Sequence, residues 1–227
     1  MWGRLVTCGG LAIRLRVCFV LIALTSAHAA LDTRSVVSPN GQLEFRLFIA
    51  EPEPGELYRI AYQVFDHGKR LMDTAFLGID IFAQEPLLGE NAGLIASSTG
   101  GDERHRYNWL LARYMQNGTL GRLLNVEVRA YDDGIAFRYV IPPSTPMMPI
   151  EIADEATEFQ KAPGVHITEV RKGSYPPMRL DPFNGSELIT HLTETQSPYR
   201  ADAPLICPWR VIVTGKEAEI LTDLTAE

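Results

Sequence analysis

The chain has 227 residues, with 21 basic against 28 acidic side chains and 46% hydrophobic residues. That length holds one domain with its own core and at most a fragment of a second. A formal net charge of −7 excludes the basic footprint of a nucleic-acid binder and is a poor match for anionic lipid. A neutral sugar, or a cation such as calcium, stays compatible.

Residues 1–29 read as a secretory signal. Arg4, Arg14 and Arg16 precede the apolar run Val17 to Leu24, and Ala27-His28-Ala29 supplies the small-residue cleavage pattern. The apolar run is short for a bilayer span, so a retained anchor is the lesser reading and no membrane span is expected after cleavage. Removing this segment takes three arginines and no acid, which leaves 18 basic against 28 acidic residues and a charge of about −10. Cys8 and Cys18 leave with it, so Cys207 remains and no internal disulfide is expected. The expected destination is the periplasm or the exterior. Cys207 lies in the apolar run Leu205-Ile206-Cys207-Pro208-Trp209 and reads as a buried, inert thiol, since no neighbouring base is visible.

The rest of the chain has the period of strands. Leu43, Phe45, Leu47 and Ile49 alternate with Gln42, Glu44 and Arg46, which puts the first set on one face. Tyr58, Ile60, Tyr62 and Val64 repeat the pattern, and Asp66-His67-Gly68-Lys69 reads as a turn. The clearest element is a hairpin. Leu124, Val126, Val128 and Ala130 alternate with Asn125, Glu127 and Arg129. Asp132-Asp133-Gly134 then supplies turn chemistry, with the glycine expected to take positive φ. Ile135, Phe137, Tyr139 and Ile141 carry the return strand, which Pro142, Pro143 and Pro146 end. Further strands are expected at Leu77 to Phe82, Tyr107 to Met115, Val165 to Val170, Leu188 to Leu192 and Trp209 to Val213. Glu217 to Leu224 has helical spacing and is expected to open a linking helix. Short strands at regular intervals predict an all-β sandwich over residues 30–214, with residues 215–227 starting the linker.

Several stretches resemble the N-terminal domain of glycoside hydrolase family 97, a family of exported α-glucosidases and α-galactosidases. They begin with Ser38-Pro39-Asn40-Gly41 and continue with Leu77-Gly78 and Tyr107-Asn108. The most specific is the hairpin from Val128 to Tyr139. Glu158-Phe159, Ile167-Thr168-Glu169, Tyr175-Pro176 and Pro208-Trp209-Arg210-Val211-Ile212 follow in the family's order. The resemblance implies a galactose-mutarotase-like β-super-sandwich, followed in the family by a linking helix and a (β/α)8 barrel that carries the catalytic carboxylates. This chain is expected to end before that barrel. It also departs from the family where only Gln160 to Gly164 separates Glu158-Phe159 from the Ile167-Thr168-Glu169 stretch, and where Pro177 replaces a glycine.

The resemblance implies that Glu169 is the one carboxylate such a sandwich contributes to a calcium site, the other ligands coming from the barrel. The bland reading is a solvated strand-end acid, and one carboxylate cannot satisfy calcium. Trp109 and Tyr175 are candidate sugar-stacking rings, with Tyr107 and Trp209 behind them; core packing is the competing reading and is favoured for Trp209. Arg129 and Arg138 are expected to face outward or to pair with acids. No catalytic residue is identified. Asp132 and Asp133 read as turn formers and Asp102-Glu103 as part of a solvated loop running from Gly100 to Arg106, whereas glycoside hydrolysis needs two carboxyl groups across the bond. The histidines lack zinc spacing.

Three functions compete. The first is a non-catalytic accessory sandwich that braces a glycosidase barrel, with an apolar docking patch. The second is a free-standing carbohydrate-binding module with exposed aromatics. The third is an aldose-epimerase-type enzyme, which would need a general acid and base around one pocket.

Overall fold

The computed structural model describes residues 31–118, 121–143, 152–165, 204–207 and 209–214. The signal segment, the expected linking helix, Glu169, Tyr175 and the strands expected at Val165 to Val170 (beyond Val165 itself) and Leu188 to Leu192 lie outside them.

The described residues form twelve strands and no helix, in an all-β arrangement. β1 (Leu31–Val37), β2 (Leu43–Ala50), β3 (Arg59–Asp66) and β4 (Lys69–Phe76) form an antiparallel meander. β5 (Ile79–Ile81) and β10 (Ile152–Glu155) pair with each other. β6 (Gln84–Asp102) is 19 residues long and joins two layers. Its first half pairs with β5 and, at Glu90, with β3; from Ala92 to Asp102 it pairs with β7 (Tyr107–Gln116). The second sheet continues through β8 (Leu123–Tyr131) and β9 (Gly134–Ile141) to β11 (Leu205–Ile206) and β12 (Arg210–Val213).

Alternation decides what lies between the sheets. Phe45, Leu47, Ile60, Tyr62 and Val64 point inward from the first sheet. Leu110, Val126, Val128, Phe137 and Tyr139 meet them from the second. Phe137 of β9 packs 5.7 Å from the Phe45 ring and 5.3 Å from Tyr62, while Phe45 and Tyr62 stack at 5.2 Å. Such ring pairs contribute about 0.5–1.5 kcal/mol each beyond their buried area.

Three expectations need correction. The strand read from Leu77 to Phe82 contracts to β5, because Leu77 and Gly78 instead bond Ile60 and Ala156 outside the regular ladder. β1, β4, β6, β10 and β11 have no counterpart among the expected strands. β6 carries few alternating apolar residues, and its pleat is reset by a bulge between Leu94 and Ala96. In the main hairpin the two-residue turn is Asp132 and Asp133, so Gly134 is the first residue of β9 and pairs with Tyr131 and Val213. By contrast, the turn read at His67-Gly68 holds, with φ of 49° and 75° at its two central residues.

A buried polar network crosses the core. Arg210 of β12 grips Glu155 of β10 with both Nε, at 2.5 Å, and Nη2. Their side chains are only 2% and 3% exposed. Burial works against the Arg210 charge, but the attraction and hydrogen bonds from Glu155 outweigh it and hold its pKa above the usual value. Thr157 donates to the same carboxylate, Tyr139 bonds Thr157 at 2.6 Å, and the Gly78 N–H donates to the Tyr139 hydroxyl at 3.3 Å. This network ties the segment after β10 to both sheets. Glu155→Leu takes the carboxylate away from a buried guanidinium, so urea unfolding should show a loss of about 3–5 kcal/mol. The double variant Glu155→Leu/Arg210→Met should recover most of that loss in the same measurement.

Candidate functional site

The alternation that buries Leu124, Val126 and Val128 sends Asn125, Glu127, Arg129 and Tyr131 to the opposite face of the second sheet. Register then sets their neighbours. Trp109 lies across from Arg129, and Leu111 from Glu127. Glu127 faces Arg138, Asn125 faces Val140, and Val140 faces Ile206. These side chains line an open cleft of about 430 Å³.

Two arginines organise one side of it. The Arg129 guanidinium lies 4.7 Å from the Tyr107 ring centroid and 4.6 Å from that of Trp209. Arg138 lies 4.3 Å over Trp209 and donates through Nε to Glu127 at 2.8 Å. Of the two alternatives, facing outward or pairing with acids, the pairing with Glu127 holds for Arg138, and Arg129 is buried against the two rings. Trp209 is only 7% exposed, yet it sits outside the central core, with Tyr131, Ala136 and Val211. Its burial comes from that small outer cluster and from cations over its ring, not only from the apolar neighbours that the sequence suggested.

Trp109 is placed differently. A Cβ added at Gly100 would meet its Cε2, Cζ2 and Nε1 at 2.6, 2.6 and 2.7 Å. Cε2 is bonded to the other two, and all three lie along one edge of the indole, so Gly100 sits against that edge. The edge therefore packs over the β6 strand at Gly100, the cross-strand partner of Trp109. Among the described residues, no ring or cation stacks on the Trp109 ring. Gly100 and Gly101 belong to β6, so the loop expected from Gly100 to Arg106 is shorter than anticipated. Asn125, Glu127 and Gly100 were not identified from sequence as site residues. The outward parity of β8 was visible, but not which strands flank it.

The neighbouring end of the sandwich has a polar groove of about 420 Å³. There the Ser38-Pro39-Asn40-Gly41 turn meets the Asp132-Asp133 turn: the Asn40 N–H donates to Asp132 Oδ1 at 2.8 Å, and Arg106 reaches Asp132 Oδ2 at 3.0 Å. Asp102 accepts the backbone N–H groups of Arg104 and His105 and contacts His105 Nδ1 at 3.0 Å. The His105 side-chain bond is the largest of the effects that pull the Asp102 pKa down to about 2, with the backbone donors helping.

These acids are engaged. Among the described residues the cleft has one carboxylate, Glu127, which accepts from Arg138. In the groove Asp132 and Asp102 serve the turns. His67 and His105 pair with Asp66 and Asp102 at turns, so among the described residues no histidine lines the cleft. Among the described residues no three His, Cys, Asp or Glu side chains gather closely enough for a metal ion. They do not provide a calcium site by themselves, and the calcium expectation remains attached to Glu169. Burial raises the Cys207 pKa to about 12, in keeping with an inert thiol.

The fold and these two hollows define a β-sandwich with a polar–aromatic outer face. Residues 36–166 match the family described as Glycosyl-hydrolase 97 N-terminal, and the chain belongs to that family. No curated protein matches it. Among solved structures, a glycoside hydrolase family 97 enzyme from Pseudoalteromonas sp. strain K8, in complexes with panose and with acarbose, aligns at 20% identity and a TM-score of 0.47. That alignment covers 56% of this chain and 20% of the enzyme. A β-arabinopyranosidase aligns at 21% identity and a TM-score of 0.47, covering 57% of this chain and 21% of its own. The chain thus spans about a fifth of the length of these enzymes.

The Asp102 contacts generate a pH prediction. A lowered carboxylate pKa means that the turn gains from the ionised form above the ordinary aspartate value and loses that gain as pH falls through about 2. Carboxyl-carbon NMR should show Asp102 titrating near 2, and His105→Ala should move that midpoint upward.

Proposed function

We propose that this chain is the non-catalytic N-terminal sandwich of a family 97-type α-glycosidase, bracing a catalytic (β/α)8 barrel and contributing carbohydrate contact at its rim. Family membership across residues 36–166 carries the reading. The chemistry of the hollows supports it, since hydrolysis needs two carboxyl groups flanking the glycosidic bond. Among the described residues the cleft offers Glu127 alone, already held by Arg138. In the proposed assembly Glu169 adds one oxygen ligand to a calcium ion completed by the barrel, and the signal segment directs the protein to the periplasm or beyond. The second reading, a free-standing carbohydrate-binding module, draws its support from the Trp109 ring, on which no described ring or cation stacks.

The purified chain should leave nitrophenyl α-glucosides and α-galactosides unhydrolysed over hours, and calorimetry should detect no tight calcium binding. Turnover that disappears in a Glu127→Gln variant would overturn the accessory reading.

A further inference from the structure

Two Asn-Gly pairs lie among the described residues, Asn40-Gly41 and Asn117-Gly118. In such a pair the glycine nitrogen can reach the side-chain carbonyl carbon of the asparagine, because no Cβ blocks the approach. The structure treats the two pairs differently. The Gly41 N–H donates to the Ser38 carbonyl at 2.9 Å, so that nitrogen is engaged. The Asn40 amide is engaged as well. Its Oδ1 accepts from the Ser38 hydroxyl at 2.7 Å and from the Gln42 N–H at 3.0 Å, and its Nδ2 donates to Gln42 Oε1 at 3.1 Å. The Asn40 N–H donates to Asp132 at 2.8 Å, which ties the turn to the neighbouring hairpin. Asn117-Gly118 follows β7 and is exposed. The Asn117 N–H bonds the Asn91 carbonyl at 2.7 Å, but its side chain makes one long contact, Nδ2 to Asn91 Oδ1 at 3.5 Å. Among the described residues nothing accepts the Gly118 N–H. Gly118 has a φ of 118°, and the space where a Cβ would stand is empty.

We infer that Asn117 is a site of spontaneous deamidation and that Asn40 is protected from it. The Gly118 amide gives its proton to hydroxide, and its nitrogen forms a bond to Asn117 Cγ. The Cγ–Nδ2 bond breaks, and Nδ2 takes a proton from water and leaves as ammonia. Water then opens the cyclic imide at either carbonyl, leaving aspartate or isoaspartate at position 117. One water is consumed, one ammonia is released, and no redox partner is needed. At Asn40 the same path first requires the bonds to Ser38 and Gln42 to break, and each one lost lowers the population that can react. The product adds a negative charge directly after Gln116. Gln116 accepts from Arg122 Nε at 2.6 Å, and Arg122 is only 1% exposed. The other acceptors of that guanidinium are the carbonyls of Gln84 and Pro86. The new charge therefore arises beside a buried cation whose hydrogen-bond acceptors are all neutral. This inference is independent of the sugar chemistry proposed above.

The test incubates the whole chain in mildly alkaline buffer, folded and in concentrated guanidinium chloride, and follows each pair by tryptic peptide mass. Cleavage after arginine puts the pairs in separate peptides, Ser35 to Arg46 and Tyr114 to Arg122. In the folded chain Asn117 should convert about tenfold faster than Asn40, or more, because several hydrogen bonds hold Asn40 and its glycine back. In denaturant the two should convert at similar rates, since the fold no longer separates them. Gly118→Ala should slow conversion at Asn117 severalfold and leave Asn40 unchanged, with circular dichroism establishing that the variant is folded. Fragmentation of the Tyr114 to Arg122 peptide should show both isoaspartate and aspartate, the mark of the cyclic imide. Equal rates in the folded chain overturn the inference, as does faster conversion at Asn40. Asn117 inert in the folded chain but reactive in denaturant also overturns it, and so does aspartate alone at position 117, which would mean direct hydrolysis of the amide.

Discussion

Phe137 meets the stacked pair Phe45 and Tyr62 between the two sheets, and that contact fixes the parity of the whole outer surface. With Phe137 inside, Ala136 and Arg138 are outside. With Val126 and Val128 inside, Asn125, Glu127 and Arg129 are outside. A one-residue slip in either strand would exchange the two sets and bury charge where rings now pack. The composition of the cleft is therefore a by-product of how the core is filled.

The outer face uses its aromatics in two ways. Trp209 is closed off by Arg129 and Arg138, and the carboxylate of Glu127 fixes one of those cations. Such a layer seals the reverse of the sheet where the central core cannot reach. Trp109 lies one strand further out, opposite Arg129, whose guanidinium turns to Tyr107 and Trp209 instead. The same residue type thus lies under cations at one point and not at another, and the difference lies in where its neighbours turn.

Much of this was legible in the sequence, for physical reasons. Strict alternation in β2, β3, β8 and β9 exposes the core directly, because one face of each is buried and the other is not. The Asp132-Asp133 turn was legible as a turn, though not in its detail, since Gly134 joins the ladder. β6 escaped because half of it lies at the margin of the second sheet, where Ser97, Ser98 and Thr99 are exposed and no apolar period forms. The site was only partly visible. Trp109 was a candidate from its type, but the seat provided by Gly100 depends on a cross-strand register between residues in different strands, which single-strand periodicity does not encode. The expected role of Glu169 and Tyr175 lies outside the described residues.

The irregularity in β6 has a geometric consequence for that seat. Leu94 lies opposite the inward Tyr114, whereas Ala96 lies opposite the outward Arg113, so even-numbered positions change sides at the bulge. Carrying the earlier register through unbroken would bring Thr99 opposite Trp109. A branched side chain there would claim the space that the indole edge now fills. One surplus residue, spent as a kink, is what lets a glycine arrive opposite the tryptophan.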